Sequence, residues 1–127
     1  MAKCRDLMQA PGEVCVPHER LLDALEIMGV YDVGWVPVVE SRDDLRLLGI
    51  VTARGAARFL GIYDRRPSEA MCREVMSPVE MAMSPDDDIA IARASMMTSR
   101  FQRLPVVEDG RLAGIIRLHE IEKSEQE

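Results

Sequence analysis

The chain has 127 residues, 47% of them apolar and 30% charged, a balance that suits a folded core and excludes a disordered chain. Its 16 basic and 22 acidic residues leave a net charge of −6, which argues against general nucleic-acid binding. No apolar run reaches the roughly 20 residues of a membrane helix, and the N-terminus lacks the apolar stretch of a signal peptide, so a cytoplasmic location is expected.

Residues 3–8 read as a short helical turn broken at Pro11-Gly12. Residues 13–16 read as a short strand that stops at Pro17. A helix over 18–31 follows, with Leu21, Leu22, Leu25 and Met28 at helical spacing on one face. Residues 35–40 form an apolar run of the kind that makes a buried strand, and Pro37 within it points to an edge or a strand start. Residues 41–46 are a polar turn, 47–52 a strand and 53–60 a helix. Residues 61–68, centred on Arg65, Arg66 and Pro67, read as a linker.

The plan then returns. Residues 71–76 are a helical turn and 80–83 a strand. Ser84-Pro85-Asp86 reads as a helix start, with a serine cap, a first-turn proline and acids at the positive helix end. Ile89, Ala92 and Met96 supply that helix's apolar face. Strands over 104–107 and 112–116 flank Asp109-Gly110, a hairpin signal, and a last helix begins at 118–121.

The correspondence extends to single residues. Cys4-Arg5-Asp6-Leu7-Met8 returns as Cys72-Arg73-Glu74-Val75-Met76, a shift of 68. Val36-Pro37-Val38-Val39-Glu40 returns as Leu104-Pro105-Val106-Val107-Glu108 at the same shift. Gly49 matches Gly114 at a shift of 65, so the first hairpin turn is three residues longer. A fixed period of this length marks two copies of one folding unit, here 1–60 and 69–127 joined by the linker 61–68. A copy of about 60 residues buries too little apolar surface to be comfortably stable alone, so the copies are expected to fold against each other.

Cys4, Cys15 and Cys72 are odd in number and widely spaced, which suits neither a disulfide framework nor a zinc site. Reduced thiols and no metal site are expected. No nucleophile with a paired base and no phosphate loop is present, which argues against an enzyme. Arg54, Arg58, Arg65 and Arg66 read as a solvated face, and Met71, Met76, Met81, Met83, Met96 and Met97 as core and interface filler.

The ordered set appearing twice (a short helix ending in methionine, a strand ending in proline, an amphipathic helix, Pro-Val-Val-Glu, a turn, Gly-Ile-Val-Thr) resembles the CBS domain, and the chain resembles a CBS-domain pair. The resemblance implies an α+β (α/β) fold of two β-α-β-β-α repeats packed sheet to sheet about a pseudo-twofold axis. Clefts between the repeats would hold AMP, ADP, ATP or S-adenosylmethionine as a sensed ligand rather than a cofactor. It also implies a regulatory module that forms a homodimer and signals to a separate effector protein.

Ligand-binding copies of that family tend to carry Gly-x-x-Ser/Thr-x-x-Asp. Copy one has Gly49, then Thr52, then Gly55 where the aspartate should stand. Copy two has Gly114, then Arg117, then Glu120. Copy two is therefore the preferred site. Met81, Ala82, Leu104 and Pro105 would enclose the base, Glu120 would hold ribose, and Arg103 and Arg117, with Arg100 adding charge, would hold phosphate. Alternatively, Arg117 pairs with Glu120. The weaker site in copy one comprises Val14, Cys15, Val36, Pro37 and Thr52, with Trp35 where copy two has Arg103. Thr52 also reads as a cap of the following helix. The departures from the motif leave a second reading open, a ligand-free interaction and dimerisation module.

Overall fold

The computed structural model describes residues 2–99 and 101–126. Its elements run α1 (Cys4–Leu7), α2 (Leu21–Tyr31), β1 (Trp35–Val39), β2 (Leu47–Thr52), α3 (Ala53–Tyr63), α4 (Cys72–Val75), α5 (Ile89–Ser99), β3 (Arg103–Glu108), β4 (Arg111–Arg117) and α6 (Leu118–Glu125). The architecture is α+β, with two small antiparallel sheets, β1 with β2 and β3 with β4.

Two compact units form, one from residues 13–79 and one from 1–12 together with 80–127. These are not the sequence copies. The opening helix of each copy packs into the core of the other: Cys72 lies in one cluster with Leu21, Val38 and Val51, and Cys4 in the other with Leu104, Val106 and Ile116.

In the 13–79 unit, α2 turns Leu21, Ala24 and Met28 inward onto Val36 and Val38 of β1 and Val51 of β2. Cys15 runs beside β1, its N–H donating to the Pro37 carbonyl and its own carbonyl accepting from Val39, both at 2.9 Å. A strand residue's N–H and C=O point the same way. The missing Pro37 N–H therefore faces Cys15, and the β1–β2 ladder loses nothing. On the other edge Ser77 exchanges two hydrogen bonds with Ile50, at 2.9 and 3.0 Å.

The other unit repeats this design. Met83 takes the place of Cys15, bonding Pro105 and Val107, and Gln9 takes the place of Ser77, exchanging two 2.9 Å bonds with Ile115. Ala92 and Met96 of α5, and Ile121 of α6, cover the sheet. Asp109 and Gly110 both adopt positive φ (53° and 79°), the two-residue turn that their sequence signals. Both hairpins carry a register shift at the matched place, Val38/Val39 and Val106/Val107.

Several local expectations are corrected. The strands expected over 13–16 and 80–83 shrink to single bridges at Cys15 and Met83, because the chain turns away at once. The Glu19 N–H donates to the Val16 carbonyl and the Asp87 N–H to the Ser84 carbonyl, closing matched turns around Pro17 and Pro85. The helix expected from 18 therefore starts at Leu21. Ser84 belongs to its turn, its N–H donating to Asp87 Oδ2 at 2.8 Å. The cap of α5 falls to Asp88, whose Oδ1 accepts from the Ala90 N–H at 2.9 Å. α3 continues to Tyr63, three residues into the expected linker, and ends at Asp64 in a left-handed conformation. α1 and α4 end ahead of their Pro breakers, because Met8 and Met76 turn extended and lead into the edge bridges.

Candidate functional site

In the preferred site, the β3–β4 register sets Arg103, the first residue of β3, directly opposite Arg117, the last residue of β4. Arg117 is also the N-cap position of α6, and the Leu118 N–H closes the corner by donating to the Gln102 carbonyl at 2.8 Å. Arg103 is half-buried and Arg117 exposed. Burial first, and then the charge of Arg117, bring the Arg103 guanidinium down to about 10, so it stays cationic at neutral pH. Like charges facing each other across a strand pair repel, and the N-terminus of α6 adds a positive dipole end.

Glu120 stands one helical turn beyond Arg117, in the first turn of α6, and is half-buried. Among the described residues no ion pair joins it to Arg117. Met83 runs parallel to β3 at Val106, so Ala82 and Met81 lie just upstream on the flank of β3 away from β4. Met81 packs against the core cluster that contains Leu104. Leu104 and Pro105 are buried, while Ala82 is exposed. Arg100 lies outside the described residues.

The copy-one candidates sit differently. Val14, Cys15, Val36 and Pro37 are all buried. The hydroxyl of Thr52 accepts from the Gly55 N–H at 2.9 Å and caps α3. The pair opposite each other at the matched place is Trp35 and Thr52, with no cation, and Trp35 is buried. Of the arginines read as a solvated face, Arg65 is ordered: it donates to Glu74 Oε2 at 2.7 Å and lies over the Phe59 ring at 5.8 Å.

The sequence reading missed the Arg103–Arg117 opposition as a unit. The Asp109-Gly110 turn alone would place Arg103 one residue out of step with Arg117; the shift at Val106/Val107 brings them level. Among the described residues no group of three or more His, Cys, Asp or Glu could hold a metal ion, and no helix is long and apolar enough to cross a membrane.

Comparison with known proteins places this geometry in a family. The chain is 32% identical over 107 residues to inosine-5'-monophosphate dehydrogenase of Staphylococcus epidermidis, covering 84% of this chain and spanning about a fifth (21%) of that relative. The fold superposes on the AcuB protein of Vibrio cholerae with a TM-score of 0.84 at 25% identity, covering 99% of this chain and 91% of that one. It superposes on CBSX2 in a complex with AMP with a TM-score of 0.82 at 22% identity, covering 99% and 97%. The family model of the CBS domain matches twice, over residues 4–62 and 72–126. The chain belongs to the CBS-domain family and is a CBS pair.

Proposed function

We propose that this CBS pair is a regulatory module that senses an adenosine compound (AMP, ADP, ATP or S-adenosylmethionine) through its second copy. The observation that carries the reading is the opposition of Arg103 and Arg117 at the start of α6. Two guanidiniums there would hold a phosphate by charge-assisted hydrogen bonds, Glu120 would accept from ribose hydroxyls, and Met81, Ala82, Leu104 and Pro105 would flank the base. The AMP complex of the similarly folded CBSX2 supports this ligand class. Binding that favours one conformation over another would pass the signal to a separate effector. A second copy of the chain is the natural neighbour for Val30, Tyr31, Ile62 and Tyr63, which stand exposed at the ends of α2 and α3.

Titration calorimetry of the full chain with each of the four compounds tests this. Binding of at least one nucleotide is expected, with Arg103→Ala and Arg117→Ala each weakening it about 10- to 100-fold, the loss of a charged hydrogen bond. No heat with any compound overturns the ligand reading. The alternative, a ligand-free interaction and dimerisation module, is favoured in copy one by Gly55 in place of the aspartate and by the engaged Thr52 hydroxyl.

A further inference from the structure

One buried position separates the copies chemically. Cys4 and Cys72 match, but Cys15 of copy one is matched by Met83 of copy two. The exchange of opening helices sorts these sulfurs. Cys72 joins Cys15 in the core of the 13–79 unit, while Cys4 joins Met83 in the other core. One unit therefore holds two thiols where its twin holds a thiol and a thioether.

Cys72 is the first residue of α4, its N–H donating to the Glu19 carbonyl at 2.8 Å and its thiol to the Arg20 carbonyl at 3.6 Å. Cys15 is tied to β1 through Pro37 and Val39. Both side chains are fully buried. We propose that Cys15 and Cys72 form a dithiol site that closes to an intramolecular disulfide by exchange with a low-molecular-weight disulfide such as oxidised glutathione.

The two thiols share one buried core, and their mutual interaction holds the Cys15 thiol above its ordinary value and the Cys72 thiol below its own, so Cys72 at the start of α4 is taken as the first sulfur to attack. Its thiolate attacks the small disulfide, a mixed disulfide forms, and one small thiolate leaves and takes up the Cys72 proton. Cys15 then gives up its proton, attacks the Cys72 sulfur and displaces the second small thiol. The sum is one protein dithiol plus one small disulfide giving one protein disulfide plus two small thiols. Access comes by local opening of α4, a four-residue helix held to the unit by the Cys72 and Arg73 N–H bonds and the Arg65–Glu74 ion pair. Cys4 is the internal control: burial, then the charges of Asp87 and Asp88, push its thiol up to about 11.

The experiment treats the reduced full chain with oxidised glutathione, alkylates it under denaturing conditions and maps it by mass spectrometry. Two of the three thiols should be lost, with a Cys15–Cys72 peptide pair, Cys4 fully alkylated, and a rise in Tm of several degrees that a reductant reverses. Cys4→Ala should oxidise like the native chain. Cys15→Ala should stop at the mixed disulfide on Cys72. Three alkylated thiols, a link through Cys4, or a native chain that stops at the mixed disulfide overturns the proposal.

Discussion

A Cβ on Gly114 would lie 2.6 Å from the backbone carbonyl oxygen of Gln9, and one on Gly49 would lie 2.7 Å from that of Ser77. Both contacts are with backbone that is pinned by a pair of hydrogen bonds, so neither neighbour can yield. The glycine that opens the family's ligand motif here lets an edge segment dock on the sheet. Gly114→Ala and Gly49→Ala should each cost about 1–3 kcal/mol in urea unfolding, the usual range for overpacking. Wild-type midpoints in both would show that the edge bridges are dispensable.

Thr52 is a cap before it is anything else. Its loss in Thr52→Ala should cost about 1 kcal/mol of stability and leave nucleotide affinity at the wild-type value. A fall in affinity without a fall in stability would return Thr52 to the ligand.

The Arg65 hydrogen bond, with the Met71 N–H behind it, holds the Glu74 carboxyl below its ordinary value of 4.5. A carboxyl lowered by folding contributes stability that is present above its unfolded value and lost as pH falls through its folded one. Thermal melts from about pH 6 to about pH 3 should therefore show Tm falling less steeply in Glu74→Gln than in the wild type. Parallel curves would remove the Arg65–Glu74 pair from acid stability.

Nucleotide affinity should follow the phosphate rather than the protein. Arg103 is brought down only to about 10 and stays charged. AMP affinity should rise as its phosphate becomes a dianion near about pH 6 and then level off. An affinity that instead falls from pH 6 to pH 8 would point to a protein group losing a proton, and against the arginine pair as the phosphate holder.

Leu104 is 1% exposed and sits among Met83, Val106 and Ile116. Leu104→Ala should cost about 2–5 kcal/mol, the price of a core cavity. If stability is retained while affinity falls, Leu104 acts on ligand rather than on packing.

Much of this fold was legible because the chain states it twice. The duplicated strand run at Val36 and Leu104 and the Asp109-Gly110 turn each carry a local signal strong enough to survive tertiary context. The short leading strands were not legible, since Pro17 and Pro85 permit a strand to end but do not say how little of it pairs. The α5 cap was misplaced for a related reason. Asp86, Asp87 and Asp88 are equally good partners for a helix start, and only the turn closed by Ser84 and Asp87 leaves the task to Asp88. Arg103 and Arg117 were visible singly as cations. Their opposition depends on a register shift that no residue type in β3 announces.

The exchange of α1 and α4 between the copies also orders events during synthesis. Residues 13–79 are contiguous, so that core has all its parts once residue 79 leaves the ribosome. Its twin uses both Cys4, made before residue 13, and Ile121, made well after residue 79. Residues 1–12 therefore wait for residues beyond 79, and stalled nascent chains should become protease-resistant over 13–79 well before 1–12.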